Sequence, residues 1–458
     1  MIESQQSTPY PEGAALLAQI NARHRRGLMM RLFFIAATIS AILVLMALLY
    51  NVFNSAFGLV AVQNQIDPQT LVQSYAPDTP EAKLAELPLD TQVAILKDNI
   101  SAGLGRRLER EQLFYETKLV FEDPQVMGTL CTGRGDETIP AACTLPPRDQ
   151  ENVYGLVLER VVVLEVIQTW PLVDSLLHRE DIARELQQTH PDAGLEFRSW
   201  LTADFLTNPQ SSTPENAGVR TAILGSLWVI LITVIFSFPI GVGAAIYLEE
   251  YAGDNRLNQI IQTNINNLAG VPSIIYGMLG LAIFVRTLEA FTSGAALGFI
   301  PDSATANGRT IVSAGMTLGL LILPIIIINS QEAIRAVPGS LRQASYGLGA
   351  TRWQTIWYHV LPNALPGILT GVILAMSRAI GETAPLVVVG ASTFITQDPS
   401  GPFSKFTVLP IQIYQWTSRP QDEFRNIAAA AIVVLLVLLL TLNASAVLLR
   451  NRYSKKMV

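Results

Sequence analysis

Two ionisable residues, Arg378 and Glu382, stand inside the apolar stretch Gly367–Val389, in the segment SRAIGETAPL. A charge at the centre of a membrane-crossing helix costs about 2.5–3.5 kcal/mol on insertion scales, so such residues face protein or water. Four apart, the two share one helix face and can pair, which lowers the desolvation cost of each. Two readings follow. The pair holds two spans together, or Arg378 offers its planar fork of donors to an anion in transit while Glu382 positions it. Ionisable groups inside spans are functional by default, which favours the second.

Other chemistry finds no residues to carry it. No Gly-x4-Gly-Lys-Ser/Thr phosphate loop occurs, so any nucleotide hydrolysis must come from a partner. There is no nucleophile elbow and no paired-histidine zinc helix, so an embedded enzyme is not expected. Two cysteines and four histidines without grouping predict neither metal nor cofactor. A net charge of −6 without a basic block argues against nucleic acid. Cys131 and Cys143 are either two free thiols or, in an oxidising compartment, a short-loop disulfide.

The elements that must position the pair are membrane helices. Charged residues make up 15% of the chain, against about 25% in soluble domains. The deficit sits in apolar runs of the length, about 20 residues, that crosses a bilayer. Six qualify: Leu32–Phe53, Ala222–Leu248, Ile265–Arg286, Ile311–Asn329, Gly367–Val389 and Ile427–Leu449. A polar stretch precedes the first, which therefore reads as an uncleaved span. Arg23, Arg25, Arg26 and Arg31 before span one place the N-terminus in the cytoplasm. Arg450, Arg452, Lys455 and Lys456 place the C-terminus there too, and Arg335, Arg342 and Arg352 agree between spans four and five.

That orientation puts residues 54–217 outside, as an inserted domain long enough to bury a core. Thr91–Gln112 has helical spacing of Val93, Leu96, Ile100, Leu104 and Leu108. Val157–Val166 fits a strand or a buried helix equally. Across the membrane, Glu249, Glu250 and Asp254 read as a solvated face. Asn264, Asn266, Asn267, Ser273 and Tyr276 crowd span three. They line a gate or hydrogen-bond between helices.

Residues 331–362 are too polar to span and too patterned to be a loose loop. Ser340 can cap a helix from Leu341, which Gly347 and Gly349 then break. Trp353, Ile356 and Trp357 give a second short helix an apolar face, and Leu361-Pro362 ends it. Such a pair suits a groove in a partner, or else lies on the membrane surface.

The stretch Gln343-Ala344-Ser345-x3-Gly349-x9-His359-x-Leu361-Pro362 resembles the EAA loop of ABC-importer permeases, Glu-Ala-Ala-x3-Gly-x9-Ile-x-Leu-Pro. Ala344, Gly349, Leu361 and Pro362 match; Gln343, Ser345 and His359 depart. The segments SRAIGETAPL, PIGVGAAIYLEEYA and NLAGVPSIIYGMLGLAIF resemble phosphate permeases of the PstA type, over about residues 199–450. Residues 54–198 have no counterpart in typical members.

The spans and the resemblance together give an expected all-α polytopic protein of six transmembrane helices, and the residues that depart from the family add a large extracytoplasmic insert between helices 1 and 2. Residues 1–31 form a cytoplasmic segment, 32–53 helix 1, 54–217 the insert, 218–450 the permease domain and 451–458 a cytoplasmic tail. The resemblance implies an inner-membrane subunit of an ATP-driven phosphate importer. Arg378, Glu382, Ser273 and Tyr276 would lie on the path; Gln343, Ala344, Gly349, Leu361 and Pro362 would engage the ATPase. Implied partners are a sister permease chain, two ATP-binding-cassette subunits, an external phosphate-binding protein and lipid. The rival readings are a membrane receptor that senses through the insert, and a permease for sulfate or molybdate.

Overall fold

The structure is a computed structural model. It describes residues 13–77, 82–101, 118–119, 144–145, 150–253, 255–299, 307–392 and 394–454. Cys131 and Cys143 lie outside them. The chain divides into two compact units, residues 58–198 and residues 1–57 with 199–458.

The first unit mixes helices and strands. Strands β1 (Phe57–Asn64), β4 (Leu164–Thr169) and β5 (Gly194–Ser199) form a sheet of order β4-β1-β5, with β1 and β4 antiparallel. Strands β2 (Lys118–Leu119) and β3 (Thr144–Leu145) pair separately. Helices α2 (Pro68–Tyr75), α3 (Leu89–Asn99) and α4 (Gln150–Val157) close a core of Leu71, Val72, Leu87, Ile95, Leu96, Val157 and Val161. Buried Gln92 donates to the carbonyls of Leu84 and Leu87, both at 3.1 Å, which fixes the turn before α3. Helices α5 (Leu172–Leu177) and α6 (Arg179–Thr189) follow. The helix expected over Thr91–Gln112 ends at Asn99; residues 102–112 lie outside the described chain. Val157–Val166 divides between both readings. A π-turn at Leu158–Val162 finishes the helix, and β4 begins after Val163, whose φ of 37° reverses the chain.

The second unit is helical: α1 (Ala14–Ala56), α7 (Arg220–Ile246), α8 (Arg256–Leu268), α9 (Ser273–Gly280), α10 (Ile311–Arg335), α11 (Gly339–Gly347), α12 (Leu361–Gly381), α13 (Ala384–Val389), α14 (Leu409–Thr417) and α15 (Asp422–Ser454). Among the described residues five helices are long and apolar enough to cross a membrane, and six if the bent pair at span three counts as one. α10 is central. Its Ile311, Leu318, Ile322, Ile326 and Ile334 are buried against α7 and α12. Without a hydrophobic drive between spans, close packing must hold them. Gly315 permits it, since a Cβ there would meet Ile232 Cγ2 at 2.6 Å. The Thr233 hydroxyl adds a 3.1 Å bond to the Gly315 carbonyl across the same contact. α1 packs against α15 and is otherwise exposed along its apolar length.

Three expectations change in detail. Span three is not straight: its two legs, Arg256–Leu268 and Ser273–Thr287, meet at 107°. Pro272 has no N–H with which to continue the first leg. Span five does not run to Val389 as one helix. Pro385 cannot return an N–H to Gly381, so α12 stops at Gly381, Glu382 is extended (ψ 120°), and α13 restarts with Pro385 in its first turn. Nor does Leu361-Pro362 end the second loop helix. A π-turn at Ile356–Val360 carries Arg352–Thr355 into α12 without interruption. Its i→i+5 bond, Leu361 N–H to the Ile356 carbonyl, widens the helix where the proline ring enters.

Candidate functional site

The helix break gives the charged pair its setting. Arg378 occupies the last turn of α12, where a cation complements the helix dipole. Glu382 caps that helix from outside it. Arg378 Nε lies 3.4 Å from Glu382 Oε1, with side-chain exposures of 47% and 19%. This is one long contact, and among the described residues the guanidinium makes no other hydrogen bond. Ser377, the residue before, is tied to α15 by a 2.7 Å bond to Asn443 Oδ1, which fixes the turn that carries Arg378.

Tyr276 stands on α9. Gly277 meets the backbone of Pro385 so closely that a Cβ there would lie 2.6 Å from its Cα, so α9 and α13 are in contact. The Tyr276 hydroxyl donates to the Leu268 carbonyl at 2.8 Å, across the bend of span three. Ser273 is half-buried at the first residue of α9. Asn264 donates back to Ile260 within α8, and Asn266 accepts from Gln262. The structure thus pairs Arg378 with Glu382 and sets Tyr276 on α9, the helix that touches α13 through Gly277 and Pro385.

The loop residues form a second cluster. α11 begins at Gly339 with no side-chain cap, so Ser340 is not its N-cap. It ends in a Schellman turn. Gly349 has φ +80°, its N–H donates to Tyr346, and the Ala350 N–H reaches back to the Ser345 carbonyl. The next helix is started by Thr351, whose hydroxyl and Gln354 cap each other reciprocally. Gln343 and Ala344 are exposed on α11; Leu361 and Pro362 are half-buried inside the continuous helix. The expected apolar face splits. Ile356 is buried, while Trp353 and Trp357 stack on each other at 5.4 Å and point outward. Ser345 and Thr355, both buried, join the two loop helices by a 2.9 Å hydroxyl bond.

Comparison with known proteins follows this geometry. Residues 237–455 match the family described as binding-protein-dependent transport system inner membrane component. The probable ABC transporter permease protein YqgI of Bacillus subtilis is 32% identical over 195 residues, 43% of this chain and 60% of that protein. The phosphate transport system permease protein PstA of Haemophilus influenzae is 31% identical over 244 residues, 53% of this chain and 79% of that protein. The chain belongs to the PstA-type permease family. It spans about three fifths of the length of YqgI. Among solved structures, an inward-facing form of the MetNI methionine ABC transporter aligns at 18% identity, over 53% of this chain and 99% of that one, with a TM-score of 0.39.

In this PstA-type chain, sequence reasoning missed one arrangement beside the loop. Glu249 and Glu250 are not a solvated face. Glu250 Oε1 accepts from Arg342 Nε at 3.0 Å and Nη2 at 2.7 Å. Glu249 accepts from Arg335 at 2.6 Å. A π-turn over Tyr247–Tyr251 carries both carboxylates past the end of α7. The signal was available: adjacent acids end span two on the side where the loop arginines lie. Gln262 and Gln331 form a similar link, exchanging amide bonds of 2.8 and 3.2 Å between α8 and α10.

Proposed function

We propose that this chain is the membrane-spanning subunit of an ATP-driven phosphate importer. The observation that carries the reading is Arg378. A guanidinium with one weak partner stands at a break inside a membrane helix, in a chain of the PstA-type family. An anion that reaches it can replace the 3.4 Å contact to Glu382 with a bidentate one. Glu382 holds the side chain while the path is empty and repels the anion afterwards. Tyr276 and Ser273 line the approach from α9.

The clusters of Lys and Arg at the helix ends set the orientation, with both termini in the cytoplasm. Residues 58–198 then face outward, and Gln343, Ala344, Gly349, Leu361 and Pro362 belong to a cytosolic coupling element. Exposed Leu348, Trp353 and Trp357 on that element supply an apolar surface for an ATP-binding-cassette subunit. A sister permease chain, two copies of the ATPase and an external phosphate-binding protein complete the complex.

The test is phosphate uptake in cells that lack other phosphate transporters. Arg378→Gln is expected to abolish uptake while the complex still assembles. Normal uptake by that variant would remove Arg378 from the path. Competition by sulfate and molybdate against the wild type distinguishes phosphate from other oxyanions.

A further inference from the structure

We infer that Arg342 and Glu250 form an internal latch that makes the end of α7 move with the coupling helix α11. The inference rests on the importer reading above and concerns how motion passes through this chain, not how the chain meets its ATPase.

Three observations carry it. The first is the number of bonds on one side chain. Arg342 Nε and Nη2 both donate to Glu250 Oε1, Nη1 donates to the Val337 carbonyl at 2.7 Å, and Nη2 also donates to the Ile334 carbonyl at 2.9 Å. Glu250 ends the α7 segment, and Ile334 belongs to the last turn of α10, with Val337 just beyond it. One guanidinium on α11 therefore grips two spans at once. The second is burial. Arg342 is 20% exposed and Glu250 only 8%, so water competes weakly for either. The third is that other links from the loop lead elsewhere. Ser345–Thr355 joins α11 to the helix that continues into α12. Glu249–Arg335 ties α7 to α10, with Arg335 71% exposed, and bypasses α11.

The mechanical consequence follows. A push on the loop reaches α12 directly, because Arg352–Gly381 is one helical run ending beside Arg378. Without the Arg342 latch, α10 would still follow through residues 336–338 and its packing on α12, but the end of α7 at Glu250 would lag. Access would then not alternate when ATP is hydrolysed. Arg342 and Glu250 are positioning residues: neither touches the solute.

The test uses the complete complex in phospholipid vesicles and reads phosphate moved per ATP hydrolysed. Glu250→Gln and Arg342→Gln are each expected to lower that ratio at least about fivefold, the bottom of the range for coupling between sites, while ATP hydrolysis continues. Arg342→Lys, which keeps the charge and three donors, is expected to recover most of it. The double variant E250Q/R342M leaves no orphaned charge and so escapes the folding defect of a single removal. It is expected to assemble and still to run uncoupled, with a loss no larger than the single variants show together. An assembled double variant with the wild-type ratio would overturn the latch, as would a ratio unchanged in both single variants. Wild-type vesicles that move no phosphate would instead overturn the importer reading, whatever the variants do.

Discussion

Arg378–Glu382 and Arg342–Glu250 join the same two chemical groups in two different settings. The first is a single 3.4 Å contact, with its arginine nearly half exposed at a helix break. The second is a pair of bonds to one carboxylate oxygen, reinforced by two backbone carbonyls and largely shielded. Exposed ion pairs contribute about 0–1 kcal/mol because water and ions replace either partner readily. A shielded, multiply bonded pair has no such replacement, and removing one member strands the other. The contrast fits the two proposed roles. A contact that an anion must displace has to be weak, and a contact that must transmit force has to be strong.

The largest effect should fall on transport through the weak pair. Two charge-assisted bonds to a passing anion amount to about 1.5–3 kcal/mol each, so Arg378→Gln should reduce uptake by roughly 10²–10⁴-fold. Thermal stability in detergent should change by less than about 1 kcal/mol, as for other exposed pairs. A variant that unfolds early would assign Arg378 to holding spans together. Arg342→Ala should do the reverse in stability. It strands the Glu250 carboxylate and two backbone carbonyl oxygens, so about 3–5 kcal/mol should be lost. Glu249→Gln, which faces an exposed arginine, should cost less than about 1 kcal/mol. Equal losses for Arg342→Ala and Glu249→Gln would erase the distinction between buried and exposed pairs.

How much of this was legible in the sequence depends on the range of the interaction. The spans, the charged pair and the glycine turn are local patterns of period, charge cost and backbone conformation, which residue spacing locates, although span three is bent and span five is broken after Gly381. The bend of span three and the break after Gly381 were written in Pro272 and Pro385, yet Pro324 and Pro366 sit inside continuous helices. A proline alone does not say whether a helix bends, widens or stops; its neighbours in space decide. Likewise, Glu250 and Arg342 are 92 residues apart, and only the packing of α7 against α10 brings them together. The stacked tryptophans illustrate the same limit. Their spacing with Ile356 predicts one apolar face, but the fold buries Ile356 and leaves Trp353 and Trp357 outward.

The helix pair of the loop supplies a test at smaller energies. Gly349 at φ +80° allows the Schellman turn, and a residue with a Cβ costs about 1–2 kcal/mol in that conformation. Gly349→Val should loosen the turn by that amount and weaken copurification with an ATP-binding-cassette subunit. The geometry at Arg378 should be untouched. Copurification at wild-type levels would mean that the turn is not what presents α11 to its partner.

The smallest effect on coupling belongs to Ser345 and Thr355, and it sharpens the comparison by removing charge from it. Ser345 and Thr355 share one buried hydroxyl bond between the loop helices, at 2.9 Å. Ser345→Ala leaves the Thr355 hydroxyl buried without its cross-helix partner, at a cost of about 1–3 kcal/mol. Thr355→Val alone should cost a similar amount. The double variant replaces both partners by apolar groups of similar shape and should return close to the wild type. A neutral buried pair is therefore restored by removing both members, and the stability of E250Q/R342M should follow the same rule. Coupling should not. Ser345→Ala with Thr355→Val keeps both helices in van der Waals contact, so the push still passes to α12 and the phosphate-to-ATP ratio should hold within about twofold, below the range of a coupling link. E250Q/R342M removes the bonds through which α11 pulls on the end of α7, so the ratio should stay low even where stability recovers. Stability and coupling measured on the two double variants then separate a bond that fills space from a bond that carries force.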